Sequence, residues 1–326
     1  MSVERLPVKW TQIPAPDFDL AMTLDSGQVF HWEKVGRGFV GTIGDLPLWV
    51  GQRDDVIDVG SSRLVRLNRT SLSDIVSNYF ALDHPLAEIC ASFPDDPVMS
   101  VAREFCYGLR IIRQPKWECL ATFICSSMKQ VAHIRQISRK LRERFGKERE
   151  VGGQIVHAFP PAQRIGATSE KELRMCALGY RAKNLLATAR LVASGEADLE
   201  KMSILSDVDL RARLCELPGV GAKVANCVML FGYERLRAFP IDVWIERVLR
   251  EKYFSRARKL KAARLRAFTE KYFGDHGGYA QQYLFHHARS TGGRRAVRAK
   301  RAGQDSACPP DPRLSPREGC DNVRTL

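Results

Sequence analysis

The sequence predicts an α+β protein in which an N-terminal antiparallel β-sheet precedes a mostly α-helical domain. Residues 1–95 alternate short apolar stretches with turn residues, as the strands of an antiparallel sheet do. Residues 96–290 carry apolar side chains at helical spacing, segment after segment. Residues 291–326 are polar, basic and contain prolines, so we expect a disordered tail there. We therefore predict a β-rich domain over residues 1–95, a helical domain over 96–290 and a tail over 291–326.

The individual elements follow from the same patterns. Strands are predicted around Trp10 and over 18–24, 29–32, 38–43, 46–50 and 64–67. Helices are predicted near 98–109, 116–127, 130–145, 169–176, 181–193, 207–216, 222–232, 243–251, 260–273 and 277–290. Strand candidates are few after residue 95, and this is why we expect the second domain to be helical.

Two of the predicted helices are joined by the short segment 217–221, which reads LPGVG. Pro218 and the glycines break the first helix, and Gly219 and Gly221 allow backbone conformations and close approaches that a side chain would prevent. The pattern predicts a helix-hairpin-helix. Unpaired N–H groups at the hairpin, together with the positive end of the second helix, would form a suitable site for a phosphate.

Lys223 lies in the first turn of the second of these helices, where the helix dipole and burial both disfavour a positive charge. A neutral lysine amine is a good nucleophile towards an aldehyde or a sugar C1′ and forms a Schiff base after the leaving group departs. Asp242 follows nineteen residues later, and a carboxylate near C1′ would stabilise the cationic sugar that forms as a glycosidic bond breaks. Two simpler interpretations stay open: an exposed first-turn lysine, and an N-cap at Asp242.

The net charge predicts a polyanionic partner. The chain has 51 Lys and Arg against 37 Asp and Glu, a formal net charge of +14, and neutralised phosphates release counterions. Charge alone would suit RNA or an anionic membrane surface equally well. No apolar run reaches about eighteen residues and the N-terminus does not resemble a secretory signal, so a membrane protein is disfavoured. Nine cysteines without a C-x-x-C pair indicate reduced thiols in an intracellular protein.

Several segments together resemble one family. ELPGVGAKVANCVMLFG, followed by FPIDVWIERVL, is similar to the helix-hairpin-helix and aspartate signature of DNA glycosylases, and the hairpin lysine is typical of the bifunctional members. Segments of the 8-oxoguanine DNA glycosylases are similar to LDSGQVFHW at 24–32, ECLATFICSS at 118–127, ALGYRAK at 177–183 and YAQQYLF at 279–285. These segments occur in the family's order over residues 10–290, so the chain is identified as a member of that family.

The resemblance implies a TBP-like sheet followed by a helix-hairpin-helix glycosylase domain. It also implies a bifunctional DNA glycosylase and AP lyase of base excision repair, which flips 8-oxoguanine out of duplex DNA and excises it through a Schiff base. Lys223 would be the nucleophile and Asp242 its electrostatic partner, with strand cleavage by β-elimination. The expected partner is duplex DNA containing an oxidised purine, not a membrane, and the expected state is a monomer. The expected location is the cytoplasm or nucleoid of a bacterial cell, or the nucleus of a eukaryotic one, without secretion.

The resemblance implies no cofactor. Related adenine-mismatch and pyrimidine-lesion glycosylases carry four closely spaced cysteines downstream of the catalytic domain for an iron–sulfur cluster, whereas only Cys308 and Cys320 lie downstream here. We therefore expect no iron–sulfur cluster and no metal ligands. Carbonyl groups of the hairpin could hold a structural cation.

The resemblance also assigns a base pocket. The Gly27 carbonyl would accept the N7 hydrogen that oxidised guanine has and guanine lacks, and a buried unpaired acceptor would penalise the normal base. Gln281 would bind the Watson–Crick edge of the base. Phe285 and Cys227 would lie against its two faces. The simpler interpretations are a turn glycine and ordinary core residues.

The residues expected to contact the vacated duplex depart in part from the family pattern. Tyr180 matches the wedge tyrosine and Arg181 the arginine that reads the opposite cytosine. Met128, however, stands where the eukaryotic-type members have asparagine, and His133 where they have a second arginine. Trp244 replaces a histidine that lies near the lesion's 5′ phosphate in many members. We therefore expect excision to depend less on the opposite base than in the eukaryotic-type enzymes.

Other functions remain as alternatives. An alkylpurine DNA glycosylase shares the fold and the aspartate but generally lacks the hairpin lysine. A non-catalytic helix-hairpin-helix protein, which would bind DNA only, explains the charge and the hairpin but not the joint presence of Lys223, Asp242 and the pocket residues. A basic structural or chromatin protein would not need a core of this composition.

Overall fold

Five antiparallel strands form the N-terminal sheet of the computed structural model, which describes residues 8–62, 70–255 and 260–305, the backbone alone beyond 292. The strands are β1 (Lys9–Pro14), β2 (Glu33–Val35), β3 (Gly38–Ile43), β4 (Leu46–Arg53) and β5 (Val56–Ser61). Their order across the sheet is β1-β5-β4-β3-β2. Helices follow the sheet along the chain, so the predicted α+β class is confirmed.

Tight turns join the central strands. The last paired residues of β3 and β4 are Ile43 and Leu46, with Gly44 at a φ of 56° between them. The last paired residues of β4 and β5 are Arg53 and Val56, where Asp54 has a φ of 48°. Two-residue turns with positive φ match the twist of the strands on either side, and this local chemistry specifies the register of the sheet.

Part of the predicted strand pattern near the N-terminus is wrong. Residues 18–24 contain helix α1 (Leu20–Asp25), because Asp19 caps it by accepting a hydrogen bond from the Met22 backbone N–H at 2.7 Å. Residues 29–32 precede β2 without joining the sheet. The strand predicted at 64–67 lies outside the described residues, and β5 has no counterpart among the predictions.

Helices α2 (Leu72–Tyr79) and α3 (Leu86–Ala91) lie in the range predicted to be β-rich. Ser71 and Asp74 form a capping box at the start of α2. Residues of α2 pack into the core under the sheet, whereas residues of α3 pack into the core of the helical part. The two cores also exchange residues along the chain, because Phe30 packs in the helical core and Ile112 in the core under the sheet.

Most helices of the second part agree with the predicted ranges, but the short helix at 162–166 was not predicted and the last helix is longer than predicted. The helices are α4 (Pro97–Cys106), α5 (Lys116–Ser126), α6 (Val131–Phe145), α7 (Ala162–Gly166), α8 (Glu170–Arg174), α9 (Arg181–Ser194), α10 (Asp207–Cys215), α11 (Ala222–Gly232), α12 (Val243–Val248), α13 (Ala262–Tyr272) and α14 (Gly277–Asp305). A π-helical segment, Leu249–Tyr253, follows α12, and 3-10 turns occupy Lys201–Ile204 and Gly274–His276. A hairpin that the sequence analysis missed, β6 (Glu148–Val151) and β7 (Gln154–His157), turns at Gly152 and Gly153 and packs on β3 and β4.

Arg142 of α6 connects the helical part to the sheet. Its buried guanidinium pairs with Glu118 of α5, and its Nη1 donates to Thr42 Oγ1 at 3.0 Å and to the His157 carbonyl at 2.9 Å. His31 Nδ1 lies 3.3 Å from the same Glu118 carboxylate, and burial lowers the pKa of His31 well below its usual range. These contacts hold the segment around His31 against α5.

Helix α14 runs to Asp305, past the predicted end at residue 290. The prediction of a disordered tail is therefore wrong over 291–305, where alanine, arginine and lysine favour a helix despite three glycines. Residues 306–326 of the predicted tail lie outside the described residues. None of the helices in the described ranges is long and apolar enough to span a bilayer.

Candidate active site

Gly219 and Gly221 shape the hairpin between α10 and α11 in different ways. Gly219 has a φ of +82°, and a Cβ there would lie 2.8 Å from Asn184 Cβ, so only glycine fits. Thr188 of α9 donates to the Pro218 carbonyl at 2.9 Å and holds the turn. Gly221 is the N-cap of α11, where no side chain caps the helix and a Cβ would meet open space. The predicted helix-hairpin-helix is present, and its second helix starts at an exposed glycine.

Lys223 is half-buried in the first turn of α11 and reaches towards the end of α5. Its Nζ donates to Ser126 Oγ at 3.4 Å and lies 5.2 Å from the centroid of the Phe123 ring. Cys227 lies one turn along α11 and lines the same pocket as Lys223. Packing of α5 against α11 therefore fixes the position of the amine, and an unconstrained solvated lysine is excluded.

Asp242 is the N-cap of α12 and is directed towards the same pocket. Its Oδ1 accepts a hydrogen bond from the Ile245 backbone N–H at 2.9 Å. Burial raises the pKa of Asp242, while the Ile245 N–H and the charge of Lys223 act in the opposite direction. The N-cap interpretation from the sequence is therefore correct, and the same residue remains available as an electrostatic partner of Lys223.

One pocket collects the predicted catalytic and base-binding residues from distant parts of the chain. Its lining consists of Gly27, Phe123, Lys223, Cys227, Phe231, Pro240, Asp242, Gln281, Gln282 and Phe285. The pocket has a volume of about 40 Å³, far below the ~300 Å³ and more of typical ligand pockets. A purine could therefore enter only if a lining side chain moved. A larger cleft of about 900 Å³ between β3, α6 and β7 contains none of the predicted site residues.

Gly27 lies in a loop whose conformation is fixed from several sides. Gln28 Nε2 donates to the Arg110 carbonyl at 2.8 Å, and its Oε1 accepts from the Ile112 N–H at 2.7 Å. Gly27 itself has a φ of +87°, and a Cβ on it would lie 3.0 Å from Phe285 Cε1. Both the backbone conformation and the closeness of the ring require glycine here.

Gln281 contributes an unused acceptor to the pocket. The residue is only 4% exposed, and no described atom donates to its Oε1. Leaving a buried acceptor without a donor costs about 1–3 kcal/mol, so a ligand that donates there would be stabilised. The neighbouring Gln282 donates from Nε2 to the Ser26 carbonyl at 2.9 Å and ties α14 to the Gly27 loop.

Tyr180, Arg181 and Met128 lie near one another, at the start of α9 and just after the end of α5. Tyr180 is 56% exposed, and the Arg181 guanidinium lies 4.3 Å from its ring centroid. Arg181 is buried, and both its Nε, at 2.8 Å, and its Nη2 donate to the Ser127 carbonyl. Met128 follows with a φ of +53° and a side chain that is 93% exposed. In this arrangement Arg181 connects the Tyr180 ring to the backbone just before Met128, and its role in reading a base stays a prediction.

The remaining predicted contacts lie on α6 and α12. His133 is exposed in the first turn of α6, and Trp244 is half-buried in the first turn of α12. Arg247 lies with its guanidinium 5.7 Å from the centre of the Trp244 ring. Ser126, Phe123 and Arg247 were missed by the sequence analysis. Ser126 and Phe123 lie within ECLATFICSS, a segment that resembled the family, but no spacing rule places them beside Lys223.

No group of three or more potential metal ligands occurs among the described residues. Seven cysteines of the described ranges are free thiols, and all but Cys215 are buried. Burial raises the pKa of the Cys227 thiol, which keeps this pocket residue protonated and apolar at neutral pH.

Two family models match the chain in succession. The first, 8-oxoguanine DNA glycosylase, N-terminal domain, matches residues 11–120. The second, HhH-GPD superfamily base excision DNA repair protein, matches residues 121–272.

Curated relatives cover most of the chain. It is 31% identical over 295 residues to the N-glycosylase/DNA lyase OGG1 of Arabidopsis thaliana, covering 86% of this chain and 79% of that protein. It is 28% identical over 305 residues to the probable N-glycosylase/DNA lyase of Methanothermobacter thermautotrophicus, covering 86% and 96%.

Several solved structures superpose on most of the chain. MBOgg1 in complex with a low-affinity DNA ligand superposes with a TM-score of 0.80 at 32% identity, covering 88% of this chain and 99% of that one. The Clostridium acetobutylicum 8-oxoguanine glycosylase/lyase, bound to duplex DNA with cytosine opposite 8-oxoguanine, superposes with a TM-score of 0.78 at 30% identity, covering 84% and 93%. The 3-methyladenine DNA glycosylase of Archaeoglobus fulgidus shares the fold, with a TM-score of 0.72 at 18% identity.

Proposed function

The chain belongs to the 8-oxoguanine DNA glycosylase family of the helix-hairpin-helix superfamily, and on that premise we propose that it excises 8-oxoguanine from duplex DNA and cleaves the strand through a Schiff base on Lys223. The observation that carries the proposal is the pocket, in which Lys223 and Asp242 lie with Gly27 and Gln281. A protein that only binds DNA has no need to combine an amine, a buried carboxylate and a buried unpaired acceptor.

Binding starts at the hairpin. Backbone N–H groups at Gly219, Gly221 and the start of α11 bind a phosphate of the lesion strand, as helix N-termini do. Tyr180 is exposed beside them and enters the duplex where the damaged base leaves. Arg247, next to Trp244, supplies a positive charge for a flanking phosphate where other members use histidine. We propose a monomer as the active form.

Recognition relies on one acceptor that only the oxidised base satisfies, together with contacts that guanine could also make. The Gly27 carbonyl accepts the N7 hydrogen of 8-oxoguanine, and Gln281 binds the Watson–Crick edge. Phe285 moves away from Gly27 so that the base fits between it and Cys227. Guanine has no hydrogen at N7 and would leave a buried acceptor unpaired, at a cost of about 1–3 kcal/mol.

The chemistry uses side chains and water, without a cofactor. The Lys223 lone pair attacks C1′, the C1′–N9 bond breaks, and the base leaves with the electron pair and takes up a proton. The carboxylate of Asp242 stabilises the positive charge on the sugar during this step. The amine then loses a proton and the sugar ring opens, which gives the imine. Removal of a C2′ proton expels the C3′ oxygen with its phosphate, and water hydrolyses the imine to free the lysine.

The proposal is tested by trapping the imine with cyanoborohydride on duplexes that carry 8-oxoguanine opposite each of the four bases. Wild type and the Lys201→Gln control, which removes an exposed lysine outside the pocket, are expected to form a covalent adduct with the DNA. Lys223→Gln is expected to form none. An adduct from Lys223→Gln would contradict the proposal, and excision of alkylated purines in preference to 8-oxoguanine would favour the alkylpurine alternative.

A further inference from the structure

We propose that Ser126 is a positioning residue that directs the lone pair of the Lys223 amine into the pocket, an inference that rests on the proposed role of Lys223 as the nucleophile. Ser126 is the last residue of α5 and is only 5% exposed. It does not line the pocket itself, so its effect on the reaction would pass through Lys223.

The hydroxyl of Ser126 can only accept from the amine. Its hydrogen is already donated to the Phe123 carbonyl at 2.8 Å, three residues back in the same helix. The Lys223 Nζ lies 3.4 Å from the oxygen, so the N–H of the amine points at the oxygen lone pair. The helix therefore holds the acceptor in one orientation.

Phe123 and Cys227 are the other neighbours of the amine. The Nζ lies 5.2 Å from the centroid of the Phe123 ring, and Cys227 lies one turn along α11 and lines the same pocket. A neutral amine has two N–H groups and one lone pair. With one N–H directed at Ser126, rotation of the amine is restricted and the lone pair is kept off the Ser126 side and available to the pocket, which Asp242 also lines.

This arrangement predicts that Ser126 affects the rate of the reaction but not the affinity for DNA. Attack on C1′ depends on the alignment of the amine, and a misplaced reacting group slows such a step by about 10- to 100-fold. DNA affinity depends on the hairpin and on Tyr180, whereas the hydrogen bonds of the Ser126 hydroxyl go to the Phe123 carbonyl and the Lys223 amine. The loss of its hydroxyl should therefore lower the rate of base release and of adduct formation at saturating enzyme, and leave the Kd for lesion DNA unchanged.

The test compares Ser126→Ala and Ser126→Cys, which remove the oxygen acceptor, with Ser126→Thr, which keeps it, and with Ser138→Ala, which truncates another buried serine on α6. Single-turnover excision, cyanoborohydride trapping, Kd and the unfolding midpoint are measured for each. We expect the alanine and cysteine variants to be slower by about 10- to 100-fold with wild-type Kd, while the threonine variant and the Ser138→Ala control keep the wild-type rate.

Two results would overturn the inference: wild-type rates in both the alanine and cysteine variants, or an equal loss in all three Ser126 variants, since the latter indicates packing instead of the hydroxyl. If the alanine variant does not fold, the cysteine variant, which is closer in size to serine, decides. Either negative result leaves the proposed function standing as long as Lys223→Gln forms no adduct. An adduct with Lys223→Gln would show instead that the proposed function had failed.

Discussion

Gly27 and Phe285 contact each other across the pocket: a Cβ on residue 27 would lie 3.0 Å from Phe285 Cε1, at a backbone φ of +87°. The loop with Gly27, whose carbonyl is the proposed N7 acceptor, therefore packs closely against the Phe285 ring of α14. With the ring in this position the pocket measures only about 40 Å³. Entry of the base must separate the two residues, and any added atom at residue 27 changes that step.

Gly27→Ala should lose excision for a reason beyond backbone strain. A left-handed conformation costs a non-glycine residue about 1–2 kcal/mol, and the new methyl group would in addition press on Phe285. Gly44→Ala is the matched control, because Gly44 also has a positive φ but its Cβ would meet open space. Thermal unfolding should show destabilisation from the backbone strain in both variants, at least as large in Gly27→Ala as in Gly44→Ala. Excision of 8-oxoguanine should fall only in Gly27→Ala, and equal activity in the two would contradict the role of the contact.

Asp242→Asn should separate catalysis from folding. Asparagine caps helices about as well as aspartate, so the hydrogen bond to the Ile245 N–H is retained. The charge that stabilises the cationic sugar is lost, and the rate of base release should fall by about 100-fold or more. Asp96→Asn, at the N-cap of α4 and outside the pocket, should keep the wild-type rate. Base release at the wild-type rate by Asp242→Asn would show that its charge has no catalytic role.

Acid pH should inactivate the enzyme through Asp242. Burial raises the pKa of this carboxyl in the folded protein, so the carboxylate is protonated, and its charge lost, as the pH falls through a value above the ordinary ~3.9. The same raised pKa affects stability in the opposite direction. A group whose pKa is higher in the folded than in the unfolded protein favours folding at low pH, and this contribution to stability is lost as the pH rises through the pKa of the folded protein. Asp242→Asn should therefore be about 0.5–2 kcal/mol more stable than wild type at pH 7. Urea unfolding at pH 4 and pH 7 checks the sign, and a variant that is less stable at pH 7 would contradict it.

Met128→Asn should change both stability and opposite-base preference. Methionine at a φ of +53° occupies a left-handed conformation that asparagine tolerates better. Asparagine also donates and accepts hydrogen bonds, which the exposed thioether does poorly. The variant should unfold at a slightly higher temperature and excise 8-oxoguanine faster opposite cytosine than opposite the other bases. Wild type should show a shallow profile across the four opposite bases, and a steep preference for cytosine in wild type would contradict this account.

The sequence was sufficient for the elements whose signals are local. Helix α11 begins and ends where the pattern predicted, because Gly221 and the apolar run that follows specify it. Asp19 shows the limit, since the apolar residues around it fit either a strand or the helix that its side chain caps. Much of the site depends on packing between distant segments, which no spacing rule describes. The contact between Ser126 and Lys223 and the unpaired Gln281 Oε1 are of this kind.

The central claim is that the Lys223 amine forms the covalent bond to C1′. The most direct measurement is the mass of the borohydride-reduced complex of wild type with lesion DNA, followed by peptide mapping of the modified lysine. We predict a single modification on Lys223, and no complex from Lys223→Gln even at long incubation. A complex formed through another lysine, or base release by Lys223→Gln at the wild-type rate, would contradict the account.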